Sequence, residues 1–226
     1  MLVNLSVIQF TAEFLAKLGD AVPASVRLFP IESPLWLQLL LVAAVLDLSL
    51  YVMHRISHRV HWLWRFHMIH HSAERLYWMN GERRHPLHAA LMAGPGLVVL
   101  LISGAPSAVV ATWFGILTVH LAFQHSNLDY SVGWLRHVLG VAEVHRWHHK
   151  RDFEDAQVNF GEFSTVWDQM FGTFYDSAGK LGEAEVGLHE KDYPRNYFGQ
   201  FIDPVHPTSA YPAGHNSSEQ DEIRNT

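Results

Sequence analysis

Cysteine is absent from the sequence. That absence removes disulfide frameworks, thiolate zinc sites and iron–sulfur ligation from consideration. Charge is scarce as well: Asp, Glu, Lys and Arg make up 17% of the 226 residues, against about 25% in an ordinary soluble domain. What charge there is leans acidic, with 16 Lys and Arg against 22 Asp and Glu for a net −6. No overall basic surface is therefore offered to nucleic acid. There is no Gly-x-Gly-x-x-Gly after a strand-like run and no Cys-x-x-Cys-His, so no evident site exists for a nicotinamide or a covalently attached haem. A chain of this length argues for one domain with tails at most.

The shortage of charge is concentrated. Mean hydropathy over the whole chain is only +0.02, yet His85 to Leu128 is a run of 44 residues without one Asp, Glu, Lys or Arg. At 1.5 Å per residue such a run extends about 66 Å as helix, roughly two crossings of a 30 Å hydrocarbon core. Its middle, Ser103-Gly104-Ala105-Pro106-Ser107, carries turn residues. The pattern predicts a transmembrane hairpin, Pro86 to Ile102 out and Ala105 to Phe123 back, with both ends on one side. Upstream, Leu35 to Met53 is a 19-residue run with one charge, Asp47, and is preceded by Pro34, suited to a helix start. Three such segments favour a bilayer over an apolar hairpin buried in a soluble core. The fold class expected is an all-α integral membrane protein, one span plus a helical hairpin, with a cytoplasmic helical cap.

The ends of the chain read differently. Val3, Val7, Phe10, Phe14 and Leu18 share one helical face, and Ser6, Gln9, Glu13, Lys17 and Asp20 run along another. This suits an interfacial amphipathic helix better than a span, with packing on the core as the plainer alternative. It lacks the basic start and clean apolar centre of a secretory signal. Residues 1–33 are thus expected to be interfacial, 34–176 to form the membrane-embedded unit, and 177–226 to be an extension, disordered from Pro204 to Thr226. Arg55, Arg59, Arg65, Arg75, Arg83 and Arg84 lie between the first span and the hairpin, and Arg136, Arg146, Lys150 and Arg151 follow it. The hairpin tip and residues 30–34 carry no basic residue, so the positive-inside bias assigns the basic segments to the cytoplasm.

Histidine is the excess. There are 17, more than Lys and Arg together, and eight fall in three groups on the basic side. His54 and His58 stand at i, i+4; His67, His70 and His71 at i, i+3, i+4; His145, His148 and His149 repeat that second spacing. Residues three and four apart share a helix face, so each group can aim imidazoles at a common point. A histidine taken singly is ordinarily a satisfied core or surface residue, and His61, His120, His137, His189, His206 and His215 read that way. Three convergent groups point instead to metal, imidazole being a ligand for Fe, Zn, Cu and Ni. A catalytic zinc takes three protein ligands, so eight imply two ions. No Glu follows the first His of His54-Arg55-Ile56-Ser57-His58, and the zincin general base is therefore missing. The alternatives are a membrane metal transporter or a haem-binding membrane cytochrome. Clustering on one side rather than along the spans speaks against the first, and haem needs only two axial ligands.

His54-Arg55-Ile56-Ser57-His58, His67-Met68-Ile69-His70-His71 and His145-Arg146-Trp147-His148-His149 resemble the three histidine boxes of the fatty acid hydroxylase/sterol desaturase superfamily. Arg84-His85-Pro86-Leu87, Gln124-His125-Ser126-Asn127-Leu128, Asn159-Phe160-Gly161 and the run Trp167 to Phe174 match as well. The resemblance implies a membrane di-iron enzyme that takes O2 as co-substrate and oxidises a lipid C–H bond. Two electrons would come from a separate reductase, ferredoxin or cytochrome b5-like donor. The implied ligands are His54, His58, His67, His70, His71, His145, His148 and His149, with His125 as a ninth. Such boxes serve hydroxylation and desaturation of sterols, fatty acyl chains, alkylglycerols and carotenoids. Two positions depart from the pattern: a further box histidine falls near Asp129 or is lost, and His88 stands where many members carry Glu after His-Pro-Leu. Asp47, about 10 Å along the helix from His54, is too far to ligate beside it and is expected to anchor a histidine. Asn80, Arg84 and His85 are expected to orient ligands or meet polar substrate, Asn159 belongs to a matching stretch behind the ligands, and Trp167 and Asp168 should fix the C-terminal segment against the site.

Overall fold

In the computed structural model the described residues are 14, 17, 22, 23, 25, 27–177, 181–182 and 185–206. Among them the regular structure is helical, and β pairing is confined to two isolated bridges, Leu139 with Ser164 and Lys150 with Val186. Helix α1 spans Leu35–Ser57, one turn beyond the apolar run, so that its polar end carries His54. Helix α2, His61–His71, follows after a three-residue turn. A 3-10 turn at Asn80–Glu82 leads into α3, Pro86–Ser103, where Pro86 occupies the first turn and the His85 side chain accepts from the Leu87 amide. Gly104 ends α3 with φ +82°, a left-handed conformation that glycine adopts without a Cβ clash. Pro106 then precedes α4, Ser107–Gln124. The hairpin is the one the sequence predicts, to within two residues.

Helices α1, α3 and α4 are each long and apolar enough to cross a membrane. They pack through Val42, Leu46 and Leu50 against Met92, Leu97, Leu100, Trp113 and Leu117. Their outer faces expose Leu40, Val98, Val99, Ile116, Val119 and Phe123, side chains that suit lipid. In the middle of the bundle Ser49 pins α1 to α3. The Ser49 hydroxyl accepts from the Gly96 amide at 2.9 Å and donates to the Met92 carbonyl at 3.3 Å. Those two groups lie one turn apart on α3, on either side of Pro95, so the serine contacts two successive turns of the helix. The approach is close because residue 96 is glycine: a Cβ there would lie 2.8 Å from the Ser49 Cβ.

The second layer holds α2, a 3-10 helix at Gly133–His137 and three short helices, α5 (Ala142–His148), α6 (Val166–Phe171) and α7 (Tyr197–Ile202). The expected helical cap is in large part loop, since residues 149–165 contain no helix. A small apolar cluster of Trp64, Met68 and Tyr193, with Phe153 and Leu188 against it, ties this layer together. The segment 185–206, within the expected extension, folds back on the site: Gln200 accepts from Arg83 at 2.8 Å and Tyr193 is buried. The expected interfacial helix over residues 3–20 and the tail beyond 206 lie outside the described residues, apart from single positions.

Candidate metal centre

Nine histidines converge where α1, α2, α4 and α5 end. His54 is in the last turn of α1 and His58 is its C-cap; His67, His70 and His71 line α2. His125 caps α4, His145 and His148 lie on α5, and His149 caps it. None of the nine is more than 2% exposed. They fall into two groups, His54, His58, His67, His71 and His148, and His70, His125, His145 and His149. Within each, one nitrogen per residue lies within 4.8 Å of the others. The grouping cuts across the boxes. Residues four apart on a helix differ by about 40° in direction, and those three apart by about 60° the other way. Each His-x-x-His-His therefore lends its i and i+4 members to one group and its i+3 member to the other.

The proton positions follow from the backbone. His70 Nδ1 lies 3.1 Å from the Asn80 carbonyl, His125 Nδ1 3.0 Å from that of Leu121, and His145 Nδ1 3.3 Å from that of Asn159. A carbonyl only accepts, so each Nδ1 carries the proton and each Nε2 is a bare lone pair. Yet His125 Nε2 stands 3.3 Å from His70 Nε2 and 3.1 Å from His145 Nε2. Three lone pairs facing one another cannot hydrogen-bond; they repel unless a cation lies among them. A protonated ring is not the answer, because burial holds all three below the ordinary imidazole range, His125 at about 3. In the five-membered group, His54 and His148 are fixed the same way by the Phe160 and Val158 carbonyls at 2.8 and 2.9 Å. His54 Nε2 lies 3.0 Å from His67 Nε2, which lies 3.2 Å from His71 Nε2. His148 Nε2 and both ring nitrogens of His149 are buried without a hydrogen-bond partner. Neutral imidazoles, fixed tautomers and facing lone pairs together suit two metal ions.

The loop 156–165 frames the histidines from behind. Asn159 sits at φ +51° and its side chain ties Val144 to Tyr175, while its carbonyl receives His145. Asp168 accepts from the Phe160 and Gly161 amides and from Thr173 Oγ1, which holds the Phe160 carbonyl under His54. Asp47 reaches the site indirectly: instead of touching a histidine it accepts from the Phe163 and Ser164 amides and from Trp167 Nε1. Asn80 is doubly engaged with His70, through its carbonyl and through Nδ2 to the His70 carbonyl.

Arg84 forms a buried ion pair with Glu162 at 2.6 Å, and the other Glu162 oxygen is 3.5 Å from His54 Nδ1. His85 caps α3 and stacks on Phe201 with ring centres 4.5 Å apart, so it faces the C-terminal segment rather than a ligand. Asp129 is exposed and stands in neither histidine group. Sequence reasoning overlooked Glu162 and Gln157, whose side-chain amide is 3.2 Å from His58 Nδ1. The only signal for either was its closeness to Asn159-Phe160-Gly161. A cavity of about 280 Å³ between Trp64, Arg151, Phe153 and Leu188 reaches His71.

An ornithine lipid hydroxylase of Rhizobium tropici is 30% identical over 177 residues, 78% of this chain and 53% of that protein. An alkylglycerol monooxygenase of Danio rerio is 29% identical over 138 residues, covering 60% of this chain and 30% of its own. A fatty acid hydroxylase of a Lecanicillium species is 30% identical over 149 residues, 58% of this chain and 40% of its own. The chain spans about half the length of these relatives or less. No solved structure matches it. The sequence model of the fatty acid hydroxylase family matches residues 39–173, from the first span through the last loop that frames the histidines, and the chain belongs to that family.

Proposed function

We propose that the protein is a membrane di-iron oxygenase that hydroxylates or desaturates a lipid, with residues 34–176 as its catalytic unit on the cytoplasmic side. His54, His58, His67, His71 and His148 would hold one ion, and His70, His125, His145 and His149 the other. The observation that carries this reading is the opposition of imidazole lone pairs whose tautomers backbone carbonyls have already fixed. Two irons bound there supply oxygen activation and oxidation of a C–H bond. For hydroxylation the balance is R–H, O2, two electrons and two protons giving R–OH and water. The sequence carries no evident nicotinamide, covalent-haem or iron–sulfur motif, and we assign the supply of electrons to a separate reductase, ferredoxin or cytochrome b5-like donor.

The protein's own groups do the rest. The loop 156–165 and Asn80 keep the imidazoles aimed inward, and Trp64, Phe153 and Phe160 pack against His54, His58 and His148. A lipid substrate is supported by the relatives, which are named for an ornithine lipid, an alkylglycerol and a fatty acid, and by the three apolar helices beside the histidines. Haem is disfavoured because five ligand atoms within 4.8 Å of one another leave no room for a macrocycle between them. Transport is disfavoured because the histidines gather at the ends of the helices rather than along the spans, whose packed middle is built from Val42, Leu46, Met92 and Leu97.

Purified protein should carry close to two irons per chain, and untargeted lipid analysis of a host with and without the gene should show one lipid class gaining oxygen or unsaturation. Full activity with a single zinc and no iron would overturn the proposal. Reporter fusions after Tyr77 and after Tyr175 should both read cytoplasmic, and an insertion at Gly104 the opposite side.

A further inference from the structure

His88 lies outside both histidine groups, yet it is buried to 1% exposure on the first turns of α3. Its ring centre is 4.8 Å from that of His67. Its proton can be located. The Ser57 hydroxyl donates to the Met53 carbonyl at 2.7 Å, which uses its one hydrogen. The 2.8 Å contact between Ser57 Oγ and His88 Nε2 is then a bond donated by His88. Neutral His88 consequently keeps a lone pair on Nδ1, and that atom is buried without a hydrogen-bond partner.

His67 presents the complementary defect. Its Nε2 faces His54 and His71, so as a ligand it bears its proton on Nδ1. That Nδ1 is also buried without a partner. At five other rings the far nitrogen is held by a backbone carbonyl: His54, His70, His125, His145 and His148. One buried donor and one buried acceptor on adjacent rings, each lacking a partner, are costly separately and cancel when joined.

We propose that His88 is the positioning residue for His67, accepting its Nδ1 proton directly or through one bridging water. The chain of contacts then runs from the metal-facing Nε2 of His67 through His88 and Ser57 to the Met53 carbonyl. It fixes the tautomer of His67 and raises its basicity as a ligand. The inference rests on the reading of His67 as a metal ligand, and the experiment separates the two.

Iron is titrated into apoprotein in detergent and its loss from holoenzyme to a chelator is followed, beside the thermal unfolding of each apoprotein. His88→Leu should weaken one of the two irons by about 10- to 100-fold, the usual cost of losing a ligand's outer partner. His88→Gln, which keeps an acceptor, should retain most of the wild-type affinity. Ser57→Ala, which frees the His88 tautomer, should fall between them. If the Leu variant does not fold, the order wild type, Gln, Ala decides the question. Equal iron binding by the Leu and Gln variants, whether both strong or both weak, overturns the role of His88. His67→Ala retaining both irons would instead overturn the ligand assignment on which it rests.

Discussion

Between α1 and α3 the buried groups are Val42, Leu46, Leu50, Met92 and Leu97; one turn from the end of the same α1 they become Ser57, His54 and His58. Both regions are equally buried, but burial means different things in them. In the bundle these apolar side chains are satisfied by contact alone, and shape is their main requirement; Ser49 and Gln38 are the polar exceptions. In the histidine layer each ring needs two partners, one behind it and one in front. Its front partner is what an ion provides, and its back partner, where one is present, is most often a main-chain carbonyl. The bundle should therefore be tolerant and graded in its response to substitution, and the layer intolerant.

His148→Ala should show the largest effect. Losing an imidazole whose back nitrogen is already committed to Val158 should abolish turnover and remove iron together, read by metal analysis and product formation. Acid comes next. Burial lowers the folded-state affinity of His125 and His148 for protons to about 3, while the unfolded chain takes them up near 6.5. The unfolded state binds more protons below that point, so apoprotein stability is full above about pH 6.5 and falls progressively as pH drops towards 3. Unfolding temperature measured against pH on apoprotein checks this, and a flat profile would contradict the neutral-imidazole picture.

Glu162→Gln leaves Arg84 buried opposite a neutral amide. A broken buried pair costs about 3–5 kcal/mol, which should appear as a lowered unfolding temperature and a weaker hold on the His54 side of the site. On the bundle side, Gly96→Leu pushes against Ser49 and Leu46 and should cost about 1–3 kcal/mol, the usual range for overpacking. Iron per folded chain should stay at the wild-type value, which is the sharpest contrast between the two regions. Asp129→Asn should change neither iron content nor turnover, because the residue is exposed and away from both groups. Loss of one iron in that variant would place a carboxylate in the four-membered group.

The helical hairpin was legible because its signal is local: 44 uncharged residues with Gly104 and Pro106 in the middle leave few other arrangements. The histidine boxes were legible for the same reason, since a spacing of three and four on a helix is itself a statement about direction. The partners behind the rings were not. Phe160, Val158, Leu121, Asn80 and Asn159 serve through backbone carbonyls, which every residue carries, so no side-chain pattern marks them. Glu162 and Gln157 are visible only as ordinary polar residues in a loop.

Asp47 shows the boundary well. Its place in an apolar run announced a role, but which role depended on the chain returning some 116 residues later to offer the Phe163 amide. The sequence by itself determined three apolar helices, the two faces of each histidine box and the need for something cationic among them, because periodicity and composition act over single turns. Only the tertiary structure decided how nine rings divide into five and four, which carbonyl fixes which tautomer, and that His88 meets His67. Those depend on where four helix ends and a loop come together, and no local pattern encodes that distance.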